Sequence, residues 1–479
     1  METPTPSHPI QIVVRDRALE RSRLTVFFRL ILAIPHFIWW WLWGIAIVVV
    51  APVLWVWALI TGGPTGLHRF YGAYLRYSVH LHAYMSLAAD PYPGFLGDPG
   101  YQVDVELPEP SRQNRWTIAF RVVLWIPAGL LTAALVGGGT GGSSSWTTSS
   151  DGDWSWSGGA SFVGVLIVVA IGAWFVIMAR GRTNTGLRDL AVYCLCYAAQ
   201  AYGYLALLTD RYPHSAPALS RPLPQPEHPV RATVDDDLRR SRLTVFFRLL
   251  LALPHIVWII LWGIAAFVVA IVNWFATLFT GRSPDALHRF LGAYVRYRLH
   301  LGAYVSLAAN PFPGFVGAPG TYPVDLQIDP SARQNRWITG FRIILGIPAA
   351  ILSSALGTAL FVAAVLGWFA ALFTGRMPAG LRDLLAFCLR YDAQLYAYGH
   401  VLTDRYPYSG PTLATGPVPA DLDGPPAGAA PAAPPSSPVS GPPGPPPPPP
   451  PPDAAPGAPP PGWAPPAPPR DLGDRPEAP

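Results

Sequence analysis

Four arginines set in apolar surroundings are the residues of this chain best placed to do chemistry. Arg29, Arg121, Arg248 and Arg342 each stand just inside a long hydrophobic run. A charge within a membrane-length segment is by default a functional hypothesis, as an ion or substrate contact. So near the end of its run, however, a guanidinium can snorkel to the interface and meet a lipid phosphate, and that is the expectation adopted for these four. His36 and His255 follow prolines within their runs. A proton relay or a metal ligand is one use. Only two of four equivalent positions carry the imidazole, and no carboxylate is near in sequence, so a hydrogen-bonded histidine at a helix kink fits better. His80 and His82 fall on different helix faces, a poor arrangement for a shared metal. Cys194, Cys196 and Cys388 form neither a disulfide framework nor a metal pattern. Gly137–Gly142 lacks the Gly-Lys-Ser/Thr ending of a phosphate loop. Asp90, Asp210 and Asp404 sit where a turn or cap explains them. No catalytic, cofactor-binding or metal-binding residue is predicted.

The elements that position these residues repeat four times. Arg23-Leu-Thr-Val-Phe-Phe-Arg29 returns as Arg242-Leu-Thr-Val-Phe-Phe-Arg248, and Arg112-Gln-Asn-Arg-Trp116 returns as Arg333-Gln-Asn-Arg-Trp337. An internal repeat of this kind fixes the architecture before any other signal. Each unit opens on a short alternating segment that reads as a strand: 10–14, 101–107, 229–234 and 322–328. An apolar run follows and ends at Thr-Gly or Gly-Arg. A third segment then closes on an aromatic–proline turn such as Pro91-Tyr-Pro93 or Arg405-Tyr-Pro407. The units are 9–95 and 100–213 in a first membrane half (1–213), and 229–315 and 320–408 in a second (229–408). A linker, 214–228, joins them.

Of 479 residues, 51% are hydrophobic and 13% charged, about half the usual charged share of a soluble domain. Between Phe27 and Ile60 the only titratable side chains are Arg29 and His36, and a run of that length exceeds the roughly 20 residues that cross a bilayer. This favours a membrane protein. No cleavable signal precedes the first run, whose own hydrophobicity would direct insertion. Every basic residue is Arg.

Two topologies are open. The second unit interrupts its run with the polar stretch Gly137–Gly159, which cannot sit in hydrocarbon with unpaired backbone. Gly44, Gly263 and Gly357 align with that break, and Gly permits a tight turn. Each run then reads as a helical hairpin, giving eight spans with every Arg-rich flank on one face. The positive-inside rule makes that face, and both termini, cytoplasmic. The expected fold is an all-α membrane bundle of four repeated helical hairpins, with short strands and interfacial amphipathic helices on the cytoplasmic side. The alternative is one long tilted helix per unit.

The third segment carries Tyr74, Tyr77, Leu81 and Tyr84 at helical spacing, with Arg69, Arg76 and His80 on another face. That suits an interfacial helix whose basic face meets anionic headgroups; a helix packed inside the bundle is the alternative. Arg69, Arg76, Arg289 and Arg296 therefore join Arg29, Arg121, Arg248 and Arg342 as candidate lipid-phosphate contacts. Residues 409–479 are Pro/Ala/Gly-rich, with the proline run Pro445–Pro452. Such a tail is expected to be disordered and could dock on a polyproline-binding protein. Anionic membrane lipids are the expected partners, and nucleic acid is not.

The repeat resembles the bacterial membrane family named domain of unknown function 4389. The resemblance rests on the Arg-rich entry, the Ile34-Pro-His36 and Leu253-Pro-His255 steps, the exits Thr280–Pro284 and Thr374–Pro378, and the closing Leu208–Pro213 and Leu402–Pro407. It implies a bacterial plasma-membrane protein and supplies no activity. With no catalytic set in the sequence, a non-enzymatic scaffold or lipid and envelope interaction module is the leading functional expectation. A secondary transporter or channel is the alternative.

Overall fold

The computed structural model describes residues 8–15, 19–62, 68–137, 163–217 and 228–411, together with the strands at 145–148 and 154–157. The polyproline run and the rest of the tail lie outside the described residues. Within them, Ser409, Gly410 and Pro411 are buried, and Arg390 donates to the Gly410 carbonyl at 2.6 Å. The packed chain therefore continues slightly beyond its expected end.

The first unit runs β1 (Gln11–Val14), α1 (Arg23–Leu32), α2 (Ile34–Thr61) and α3 (His68–Met85). The second runs β2 (Val103–Glu106), α4 (Arg115–Ala119), α5 (Arg121–Val136), the hairpin strands β3 (Ser145–Thr148) and β4 (Trp154–Ser157), α6 (Val165–Arg180) and α7 (Thr185–Leu205). The third comprises β5 (Val230–Val234), α8 (Arg242–Phe246), α9 (Arg248–Thr280) and α10 (Asp285–Val305). The fourth comprises β6 (Val324–Ile328), α11 (Arg336–Gly340), α12 (Arg342–Thr374) and α13 (Ala379–Gly399). Each unit is thus a strand, a short entry helix, a long apolar helix and a return helix. Side-chain caps begin several of them: Asn114 accepts from the Trp116 N–H, Asn335 from Trp337 and Asn184 from Gly186, each at 2.9 Å.

The sequence pattern builds three layers. At 100° per residue, Tyr71, Tyr74, Tyr77 and Ser78 share one face of α3, where they meet Ile47, Gly44, His36 and Trp40 of α2. The opposite face carries Gly72, Arg76 and His80, which meet Leu107, Val105 and Asp104 of the β2 segment. α10 repeats this, with Tyr294 and Tyr297 toward α9 and Arg296 and His300 toward β6. The return helices are therefore a middle layer between the long helices and two antiparallel ribbons. β1 pairs with β2 in the register Gln11↔Glu106 to Val14↔Val103, and β5 with β6 from Val230↔Ile328 to Val234↔Val324.

Paired units interlock reciprocally. Each long helix ends on a left-handed glycine, Gly62, Gly181, Gly281 or Gly375, with φ of 64°, 72°, 76° and 71°. The glycine carbonyl then accepts from the entry of the partner unit: Gly62 from Gln113, Gly181 from Arg21, Gly281 from Gln334 and Gly375 from Arg240. The long helices of a pair consequently run antiparallel, exit beside entry at both ends. The two halves interlock in the same way, with Gly186 packed against Ser409 and Gly380 against Ser215.

Three expectations change. α2, α9 and α12 run without interruption through Gly44, Gly263 and Gly357, so the single long helix replaces the hairpin in these units. Gly44 and Gly263 serve close packing instead, since a Cβ at either would come within 3.2 Å of the Tyr74 or Tyr294 hydroxyl. In the second unit, α5 and α6 lie end to end. Arg121 at the start of α5 reaches the C-terminal carbonyls of α7, whereas the end of α6 leads into the start of α7. A methyl on Gly164 would overlap the backbone of Val136 and Gly137, so the helix ends abut. The chain therefore leaves after residue 137 and returns at residue 164 between two 16-residue helices that together match the 33-residue α12 in length. Finally, the return helices are buried between layers, because both of their faces have partners. The Arg-rich flanks also lie at both ends of the long helices, which removes the one-sided charge bias behind eight spans.

The insertion makes a sharp test. Deleting 138–163 and joining Gly137 to Gly164 should leave membrane association and melting temperature unchanged. Loss of folded protein would mean the segment is a required turn.

Candidate functional site

The four arginines inside the apolar runs are buried, each 1–3% exposed. Arg29 Nη1 donates to the carbonyls of Tyr84 (2.7 Å) and Ala89 (3.0 Å), and Nη2 to Asp90 Oδ1 (2.8 Å). Arg248 repeats this on Tyr304, Ala309 and Asn310. Arg121 holds the carbonyls of Tyr204 and Thr209 and the Gln113 side chain, and Arg342 those of Tyr398 and Thr403 and the Gln334 side chain. Each guanidinium also lies over a tyrosine ring, Tyr84, Tyr204, Tyr304 or Tyr398, at 4.2–4.6 Å. One carbonyl of each pair, that of Tyr84, Tyr204, Tyr304 or Tyr398, is in the last turn of the return helix, where a cation is favoured, and the other, five residues on, is in the turn that follows it. Each helix ends there in a left-handed residue without glycine's freedom: Leu87, Leu207, Leu307 or Val401. The expected lipid-phosphate role for Arg29, Arg121, Arg248 and Arg342 is thus displaced, because their donors face carbonyls in the interior.

Two equivalent clusters sit against the ribbons. His80 Nε2 lies 3.1 Å from Asp104 Oδ1, and His300 Nε2 lies 2.8 Å from Asp325 Oδ1. Asp104 also accepts from the Gly100 and Val105 N–H groups and pairs with Arg15 and Arg76. Asp325 accepts from Gly320 and Leu326 and lies 3.7 Å from Arg296. Burial pushes the Asp104 carboxyl up, but its N–H donors and His80 outweigh that and hold it below the usual range, and Asp325 follows the same balance. Burial lowers His80. An Asp–His pair can orient an imidazole for proton transfer, yet here the carboxylates are filled by ribbon donors, so the clusters tie the ribbon to its return helix. Arg76 and Arg296 are absorbed by this tie. Among the described residues no group of three or more His, Cys, Asp or Glu could hold a metal.

His36 and His255 are hydrogen-bonded histidines, as expected. Each shares a hydrogen bond with a buried tyrosine hydroxyl, Tyr77 at 2.9 Å and Tyr297 at 2.8 Å, and stacks on Phe95 or Phe315.

Among the described residues the arginines facing outward include Arg69 and Arg289, as expected, Arg15 and Arg231 on the ribbons, Arg211 and Arg405 in the closing turns, and a set at the unit entries and exits that was read as part of the Arg-rich flanks and not as lipid contacts. At one interlock Arg23 stands beside Arg180 and Arg182, and its Nη2 donates to the Ala179 carbonyl at 3.2 Å. Arg115 packs by Gly62 near Arg112, Arg242 by Gly375 near Arg239 and Arg376, and Arg336 by Gly281 near Arg282 and Arg333. All are exposed. The doubled arginines at unit entries and exits were the signal. What hid it was that exit and entry of different units meet.

Four segments, residues 23–97, 160–216, 242–316 and 336–409, match the model of a family described as a domain of unknown function, DUF4389, and together they cover more than half of the chain. The chain belongs to this family. No curated protein and no solved structure matches it. In the first, third and fourth matches the DUF4389 unit comprises the long helix and its return helix, closed by the aromatic–proline turn. The second match begins at residue 160, near the end of the insertion, and the ribbons lie outside all four.

Replacing Arg248 with Gln should strip the Ala309 carbonyl of its guanidinium donor and leave the Tyr304 carbonyl only its bond from the Leu307 N–H. A buried acceptor that loses its donor costs about 1–3 kcal/mol, so the melting temperature in detergent should fall by several degrees. Arg69→Gln should leave it unchanged, and equal effects would contradict the assignment. A second expectation concerns pH. Burial lowers His80 and His400, and His228 to about 4. A folded-state pKa below the unfolded one means that the unfolded chain binds the proton more tightly. Stability should therefore hold above pH ~7, decline below about 6.5 as these histidines charge, and decline further below about 4 as Asp104 and Asp325 protonate. A melting temperature that stays flat down to pH 5 would contradict this.

Proposed function

We propose that this protein is a non-enzymatic membrane scaffold that organises anionic lipids. Three helices, Arg23–Thr61, Arg248–Thr280 and Arg342–Thr374, are long and apolar enough to cross a membrane, which supports a membrane protein built from repeated DUF4389 units. The observation that carries the finer reading is the division of its arginines. Those inside are bonded to carbonyls and carboxylates that hold the fold, and those outside gather at the helix ends beside wide apolar surfaces. Phosphate-bearing lipids satisfy both features at once. Two cavities beside the long helices suit the same ligands. One of about 690 Å³ follows the α1/α6 seam, lined by Phe27, Leu30, Ile167, Ile171 and Trp174, and another of about 390 Å³ lies by Leu54, Trp55 and Ile118. Apolar walls accept acyl chains and offer little to an ion.

A transporter would need a polar path, and the test follows from that. Purified protein in proteoliposomes should leave ion and small-solute flux at the level of empty vesicles. It should bind phosphatidylglycerol vesicles in preference to phosphatidylcholine, with affinity falling as salt rises, because surface attraction decays over about 8–10 Å at physiological ionic strength. Protein-dependent flux of a defined solute would overturn the proposal in favour of transport.

A further inference from the structure

The three layers set a limit on how a bilayer can meet this molecule. A long helix such as α9 has 33 residues, about 50 Å at 1.5 Å per residue, against a hydrocarbon core of about 30 Å. Its outward face is apolar throughout, from Leu249 and Leu253 through Val257, Ile264 and Ile271 to Phe279, all exposed. Set across the bilayer, this helix would carry its return helix and ribbon with it. Each ribbon crosses a return helix at mid-length: Val105 of β2 accepts from Arg76 at the centre of α3, and Leu326 of β6 accepts from Arg296 at the centre of α10. Mid-length would then be mid-bilayer. The ribbons present Arg15, Glu106, Arg231 and Gln327 outward, all exposed. Each ribbon has two strands and hence unpaired backbone edges. Open sheet edges and charges are not tolerated against hydrocarbon. The insertion speaks the same way, since it leaves α5/α6 at the midpoint and is rich in Ser, Thr and Asp.

One orientation removes every conflict. We propose that the long helices lie in the membrane plane, with their apolar face in one leaflet, the ribbons in water, and the exposed arginines at the four interlocks contacting lipid phosphates around the rim. Helix midpoint and ends then share one depth, so the polar insertion can reach water. The rim placement follows from the interlocks. Arg23, Arg180 and Arg182 mark one end of the α2 and α5/α6 pair, and Arg282, Arg333 and Arg336 one end of the α9 and α12 pair. Arginines at the rim of an apolar face are placed to meet anionic headgroups when that face lies in a leaflet. This inference rests on the membrane-scaffold reading and goes beyond it by naming the surface and the leaflet.

The test measures depth along α9. In a background of Cys194→Ala, Cys196→Ala and Cys388→Ala, the single variants Leu249→Cys, Val257→Cys, Ile264→Cys, Ile271→Cys and Phe279→Cys are spin-labelled in phosphatidylglycerol/phosphatidylcholine bilayers. Accessibility to oxygen and to a water-soluble nickel chelate gives the depth of each. The proposal expects all five at one shallow depth within a few ångströms. A maximum at Ile264 with Leu249 and Phe279 at opposite surfaces would overturn it. Labels shielded from both reagents would overturn it too, in favour of a second copy covering the face. If the cysteine-free background does not fold, polarised infrared dichroism of the unmodified protein in oriented bilayers decides the same point. Amide I order should be that of helices lying in the plane, and order along the membrane normal would contradict it. Failure to associate with vesicles at all would instead overturn the membrane reading, a result distinct from either depth profile.

Discussion

A single contact, an arginine from the start of a long helix closing the end of its return helix, holds every unit of this protein together. The last carbonyls of a helix have no partner within it, and here that end is buried. Arg29, Arg121, Arg248 and Arg342 supply two carbonyl bonds each and cover a tyrosine ring of the same turn. They also stabilise the left-handed Leu87, Leu207, Leu307 and Val401, where an L side chain is strained by about 1–2 kcal/mol. An apolar residue could fill the space but would remove the donor from both carbonyls. Lysine could not also reach the Asp90, Gln113, Asn310 or Gln334 side chain with a second nitrogen while lying flat on the ring.

From that contact the rest follows in order. Pinning the end of the return helix to the start of the long helix makes the two antiparallel and similar in course. The tyrosines of the return helix then meet the glycines and histidine of the long helix, and its Arg and His side meets the ribbon. The ribbon joins units in pairs, and the glycine exits complete each pair. The long helices are left with one face unpartnered within the molecule, and many large apolar side chains lie there.

Much of this was legible in the sequence, and what was not has specific causes. The four units, the four strands and the aromatic–proline closures are local patterns, and each is where the alternation and the repeat placed it. The hairpin expectation failed because Gly44 has a use that lies thirty residues away, making room for the Tyr74 hydroxyl. A mid-helix glycine that admits a neighbour and one that permits a turn read alike. The arginine contact was hidden because its partners are backbone carbonyls, which carry no sequence signal, although Tyr84, Tyr204, Tyr304 and Tyr398 recur three residues before each left-handed position. Asp104 and Asp325 were read only as strand residues. Their pairing with His80 and His300 depends on a ribbon crossing a helix, a long-range event.

The layered account is tested most directly by a single-particle structure of the full chain in lipid nanodiscs, in which the bilayer density is seen against the protein. The account predicts lipid only along the outer faces of α2, α5, α6, α9 and α12, with both ribbons in solvent and headgroup density beside Arg23, Arg180 and Arg182. A belt of lipid that encircles the return helices and the ribbons would contradict it.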